Sequence, residues 1–358
     1  MKTFECQACG QLLNFESTQC MSCGHSLGYL PERTEMSALE PAADGGWTAL
    51  ADDAQQYKSC ANAAYDACNW LVPAQSPDIF CRACRLNRTI PALGVDGNLE
   101  LWRRLEVAKH RLVYGLMRLG LPIIGRTEDP DAGLAFDFLG DPDHDFREGP
   151  NVITGHAQGL ITINIAEADD AARESHRKDM AEPYRTLIGH FRHEVGHHYW
   201  EKLIRNGWRE RFRGMFGDER ADYAAALEAH YANGLAPTWW QDYVSNYARS
   251  HPWEDFAETW AHYMHIVDTL ETGMAFGLKV EPKAGSDPTL SVEIDFDPYR
   301  EEDFDTLIRA WLPLTYAVNS LNRSMGQPDL YPFVLGDAVL AKLRFIHDLI
   351  RESRSAEA

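Results

Sequence analysis

The chain has 358 residues, 45% hydrophobic and 25% charged, an ordinary globular composition with length for one large core plus an accessory module. Its formal net charge of −20 disfavours nucleic-acid backbones and anionic membranes as partners, and no window reaches the roughly 18 apolar residues that span a bilayer. The N-terminus, MKTFECQACG, runs directly into cysteines with no apolar leader, so the expected compartment is the cytoplasm, where clustered cysteines read as metal sites rather than disulfides.

All eight cysteines lie before residue 85. Residues 1–30 hold Cys6-x2-Cys9 and Cys20-x2-Cys23, each pair followed by glycine (Gly10, Gly24). Two close thiolate pairs match a tetrahedral zinc, and the glycines let the backbone turn so that its amides approach the sulfurs. Four thiolates leave no open position, so this zinc is structural, and it supplies folding energy that a 30-residue unit lacks. Residues 31–56, rich in Ala, Pro, Gly and acids, read as a linker. Cys60-x7-Cys68 and Cys81-x2-Cys84 follow, a candidate second structural zinc whose first pair has unusual spacing; the competing reading is that Cys60 and Cys68 are core residues. The organisation expected is a ribbon (1–30), a linker with a second cysteine segment (31–98) and a larger domain (99–358).

In that larger part a helix is predicted from Leu99 to about Gly120, then strands at 134–139 and 159–166. In the second strand Ile161, Ile163 and Ile165 alternate with Thr162 and Asn164, with turns expected at Gly149-Pro150 and Gly155. Pro183 is expected to open a long helix that exits at Asn206-Gly207. Further helices are predicted from Asp218 to Asn233, from Pro252 to about Gly273, and at about 302–324 and 332–353. The fold class expected is α+β: a mainly helical domain with a small sheet, preceded by a small zinc-ribbon module.

The helix opened by Pro183 carries GHFRHEVGHHYW, residues 189–200. His193 and His197, four apart, share one helix face and can grip one metal. Glu194 lies about 100° round from His193, placed to reach a water held by that metal without being a ligand, as in the H-E-x-x-H motif of metalloproteases. Gly196 removes a side chain where another segment can approach. His190 and His198 read as bystanders. A third protein ligand is required. It is sought in HPWEDFAETWAHYMH, residues 251–265, where Glu254 and Glu258 share a face; one can bind the metal while the other accepts a hydrogen bond from a ligand histidine. His262 and His265 are rivals on the same helix.

HEVGH followed by EDFAE resembles the gluzincin clan of zinc metallopeptidases, and the second helix is similar to that of the anthrax lethal factor catalytic domain. That resemblance implies that Glu254 is the ligand and Glu258 supports a histidine, although the 57 residues from His197 to Glu254 exceed the spacing of the thermolysin branch. It also implies a tyrosine shortly before the ligand glutamate as donor to the transition-state oxyanion; Tyr247 sits seven residues ahead, with Tyr243 as its rival. The knuckles, CNWLVP, CRACRLNRTIP, GLITINIAEAD, HEVGHHYW and EDFAETWAHY together resemble, nearly end to end, a bacterial family of zinc-binding metallopeptidases with an N-terminal zinc ribbon. The function expected is peptide-bond hydrolysis of a peptide or protein substrate, with one catalytic and one or two structural zinc ions, Glu194 as general base and the strand LITINIA pairing with substrate as a sheet edge. The competing readings are a zinc-dependent protein-binding module, against which Glu194 speaks, and a hydrolase of non-peptide amides.

Overall fold

A computed structural model describes residues 1–43, 45–140, 154–179, 186–234, 236–285 and 287–355. The fold is α+β, with the cysteine-rich ribbon region ahead of a helical domain. It comprises two compact units, Met1–Tyr114 with Ile123–Asp170, and Gly115–Pro122 with Ala171–Ala358.

In the first unit, β1 (Phe4–Glu5) and β2 (Leu12–Leu13) pair antiparallel beside the first two knuckles. Gly10 and Gly24 adopt φ of 76° and 77°, the left-handed conformation that only glycine takes without cost, and each amide bonds back to the first cysteine's carbonyl at 2.8 Å. A five-stranded antiparallel meander follows in chain order: β3 (Ser26–Leu30), β4 (Glu35–Pro41), β5 (Trp47–Ala49), β6 (Asp52–Ser59) and β7 (Leu71–Pro73). The segment expected as a linker, 31–56, is therefore mostly strand. Its Ala, Gly and acid content hid core positions, for Met36, Ser37, Ala38 and Leu39 are buried in a row on β4, and Ala49 and Asp52 are buried further on. The ribbon is tied to this sheet: the Gln7 side chain bonds Met36 O and Ala38 N, and Phe15 packs against Tyr29, Trp70 and Tyr114.

β8 (Asn87–Thr89), α1 (Asn98–Arg118), β9 (Ala135–Leu139), β10 (Gly155–Ala157) and β11 (Leu160–Asn164) follow, with a second sheet in the order β10-β11-β9-β8. Ile161 and Ile163 are fully buried while Thr162 and Asn164 are half-buried, as the alternation predicts. Two expectations fail here. β11 is not a free edge: β9 pairs along one side of it and β10 pairs with Leu160–Thr162 on the other, so a substrate strand cannot lie along that stretch. Gly155 lies in β10 rather than in a turn. The turn expected at Gly149-Pro150 lies outside the described residues.

α2 (Asp170–Asp179), which the sequence pattern did not predict, opens the main stretch of the helical unit. That unit contains α3 (Leu187–Leu203), α4 (Gly207–Phe216), α5 (Tyr223–Asn233), α6 (Pro252–Ala275), the hairpin β12 (Lys279–Val280) and β13 (Val292–Glu293), α7 (Phe304–Ser324) and α8 (Asp337–Ser355). α6 is its core: it is buried along most of its length and packs against α3, α4, α7 and α8. The proposed helix start at Pro183 lies outside the described residues; α3 is capped by Thr186, whose hydroxyl accepts the Gly189 amide at 3.1 Å. Asn206-Gly207 is not a simple exit. Asn206, at φ 51°, links two helices, and Gly207 begins α4, which buries Trp208, Phe212 and Phe216 at helical spacing.

Candidate metal centre

α3 and α6 lie side by side because Gly196 allows it. A Cβ at that position would sit 3.0 Å from Ala257 Cα and 3.2 Å from Trp260 Cβ. A further link holds the same pair of helices: Arg192 reaches His265 Nδ1 and Asp268 Oδ2, each at 2.6 Å. α6 starts with proline at its first turn, and the His251 ring accepts the Trp253 amide. Glu254 thus falls in the first turn, where the helix dipole favours a carboxylate.

This packing brings His193, His197 and Glu254 together, all buried, with one ligand atom of each within 4.8 Å of the others. The two Nε2 atoms are 3.2 Å apart, and Glu254 Oε2 lies 3.0 Å from that of His193 and 3.4 Å from that of His197. Glu254 Oε2 is buried and makes no hydrogen bond. His193 Nδ1 sits 2.6 Å from Glu258 Oε1 and donates to it, so that in the neutral ring the Nε2 lone pair faces the cluster. Glu258 Oε2 in turn accepts the Ser245 hydroxyl at 2.6 Å. Glu254 Oε1 accepts the Tyr223 hydroxyl at 2.8 Å.

The electrostatics call for a positive charge at this point. Burial alone would depress the His193 pKa, yet the neighbouring Glu254 and Glu258 carboxylates hold it well above its ordinary value. Burial would raise Glu254, but the two imidazoles hold it well below the usual carboxylate range. Glu258 is likewise pulled down, to about 2, by His193 against the effect of burial. Two imidazole nitrogens and one carboxylate, converging on one point, are a donor set suited to zinc, one ligand short of four.

Glu194 is buried on α3 beside His193. Tyr247, in a short 3-10 turn ahead of α6, is half-buried with its ring 5.9 Å from that of His193, and burial pushes its phenol pKa upward. Its rival Tyr243 is engaged elsewhere, under Lys342 Nζ at 4.2 Å from the ring. His262 bonds Tyr331 and His265 bonds Arg192, so neither joins the cluster. His190 and His198 stay outside it as well. Tyr223 is the residue that sequence reasoning missed; it lies 31 positions before Glu254 and has no motif around it.

The cysteines form two further groups. Cys6, Cys9, Cys20 and Cys23 converge, with Cys6–Cys23 and Cys9–Cys20 sulfurs 3.6 Å apart. Cys60, Cys68, Cys81 and Cys84 converge in the same way, so Cys60 and Cys68 are not isolated core thiols.

Residues 98–349 match the family described as "Putative zinc-binding metallo-peptidase", and residues 3–95 match a zinc-ribbon domain. The chain belongs to that metallopeptidase family. It is 44% identical to uncharacterized proteins of Mycobacterium tuberculosis and Mycobacterium bovis, over 98% of this chain and 96% of theirs. No solved structure matches it. Zinc is the metal that the family, the cysteine groups and the His/Glu site have in common. Among the described residues no helix is long and apolar enough to cross a membrane.

Proposed function

We propose that the protein is a gluzincin-type metallopeptidase whose catalytic zinc is held by His193, His197 and Glu254. The observation that carries this reading is the buried Glu254 Oε2, without a hydrogen bond and facing both imidazole Nε2 atoms. Zinc bound there supplies a Lewis acid that polarises a carbonyl and acidifies water. Glu258 holds the His193 tautomer through Nδ1, and Tyr223 orients Glu254 by donating to Oε1. Glu194 takes the proton of the attacking water and delivers it to the leaving amine. Tyr247 donates its phenolic hydrogen to the developing oxyanion, a role its raised pKa suits because the proton stays in place at neutral pH. The two cysteine groups hold structural zinc in the N-terminal segments 1–30 and 31–98, ahead of a catalytic domain over 99–358.

The test is Glu194→Gln, assayed for metal content and for hydrolysis of a mixed peptide library. Metal is expected to stay and hydrolysis to fall by at least 10²-fold, in the range of general acid–base catalysis. Metal-loaded Glu194→Gln cleaving at the wild-type rate would remove the assignment, and a library left intact by the wild type would favour a non-peptide amide.

A further inference from the structure

A residue outside the ribbon match reaches into the second cysteine group. His110, on α1, is buried, and its Nε2 lies 3.2 Å from Cys68 Sγ, 3.6 Å from Cys84 Sγ and 3.9 Å from Cys81 Sγ. Its Nδ1 lies 2.6 Å from the Glu106 carbonyl oxygen, which can only accept, so Nδ1 carries a hydrogen and, in the neutral ring that binds metal, Nε2 offers its lone pair to the site. This is the arrangement of a metal-ligating histidine, whose remote nitrogen donates to a carbonyl or carboxylate. It repeats what His193 does with Glu258. The Trp70 ring, 5.1 Å away and edge-on, keeps the imidazole in that orientation.

The distances suit coordination. With zinc about 2.3 Å from sulfur and about 2.0 Å from nitrogen, the N···S edge of a tetrahedron is about 3.5 Å. The three observed separations bracket that value, and the Cys68–Cys81 sulfurs stand 3.6 Å apart, as in the first site. His25 beside the first site differs: it approaches a single sulfur, Cys23, at 3.3 Å. The second group therefore presents five donors to an ion that takes four.

We infer that the second site is a Cys3His zinc site formed by Cys68, Cys81, Cys84 and His110, with Cys60 as a spare thiolate. Cys60 Sγ is buried within 4.8 Å of the other three sulfurs and accepts the Cys81 amide at 3.3 Å, so it stands within reach as the substitute ligand when His110 is lost. The Glu106 carboxylate near Cys84 is paired with Lys109 Nζ at 2.8 Å, so it adds no free acid to the site. This inference concerns the first unit alone and is independent of the hydrolytic reading.

The full-length chain loaded with cadmium-113 and labelled with nitrogen-15 histidine tests it by NMR. His193→Ala serves as background, which removes the other histidine-bearing site. The first cysteine site provides an all-thiolate reference resonance. A second resonance upfield of it and split by one nitrogen-15 is expected. A second resonance at the reference position without splitting would overturn the proposal, and this reading needs no change in the cysteine site. In variants, His110→Ala is expected to keep the ion and move its resonance to the all-thiolate position. Cys60→Ser is expected to keep both ion and splitting, and only Cys60→Ser/His110→Ala is expected to lose the ion. A Cys60→Ser chain that folds and binds one cadmium fewer would overturn it.

Discussion

His193 Nδ1 lies 2.6 Å from Glu258 Oε1, a contact between α3 and α6 that fixes which nitrogen of the imidazole faces Glu254 and His197. Glu258→Gln can turn its amide nitrogen toward Nδ1 and lose the tautomer control. Metal affinity, measured by competition with a chromophoric chelator, is expected to fall about 10–100-fold, the usual cost of removing such a partner. Unchanged affinity would assign Glu258 to packing alone.

Gly196 tests the approach of the two helices. In a free helix Gly→Ala gains about 1 kcal/mol. Here the added methyl meets the backbone of Ala257 at 3.0 Å, and overpacking costs about 1–3 kcal/mol. Gly196→Ala is expected to lower the melting temperature by a few degrees and Gly196→Val by more. Both are expected to weaken metal binding, because pushing α3 from α6 parts the histidines from Glu254. A rise in melting temperature for Gly196→Ala would contradict the close packing.

The two tyrosines separate by what they touch. Tyr223→Phe removes the donor to Glu254 Oε1 and is expected to weaken metal binding several-fold, the loss being reduced by partial solvent exposure. Tyr247→Phe is expected to leave metal content intact and lower kcat by about 10²–10³, as when one oxyanion donor is removed. The reverse pattern, metal loss in Tyr247→Phe and a kcat defect in Tyr223→Phe, would exchange their roles.

His262 sets a pH dependence. Burial pushes its pKa down to about 4, against a small upward pull from Glu258, while its Nδ1 bonds the Tyr331 hydroxyl at 2.7 Å. The unfolded chain, with an imidazole near 6.5, binds a proton that the folded chain refuses. The contribution of neutral His262 is therefore fully present above pH 6.5 and lost as the pH falls toward 4, up to about 3 kcal/mol. Urea unfolding between pH 7 and pH 4.5, with and without His262→Phe, measures it. The wild type is expected to lose more stability on acidification than the variant, and parallel curves would refute the assignment.

Spacing along single elements carried the local parts of the site. His193 and His197 at four residues, the two Cys-x2-Cys knuckles with glycine behind, and proline ahead of Glu254 all act within one helix turn or one tight loop. Composition misled where burial was decided by distant partners. The acidic, alanine-rich stretch 31–56 became strands because neighbouring strands accept its backbone groups, and β11 lost its edge to β10.

The sequence by itself determined the chemistry: a histidine pair with a flanking glutamate, a carboxylate pair on a later helix, and two groups of four cysteines. The tertiary structure alone decided which atoms meet. Glu254 joins the histidines through helix packing at Gly196, Tyr223 reaches Glu254 across 31 residues, and His110 reaches Cys68 across 42. Such contacts leave no period in the chain, because their positions depend on how whole elements pack.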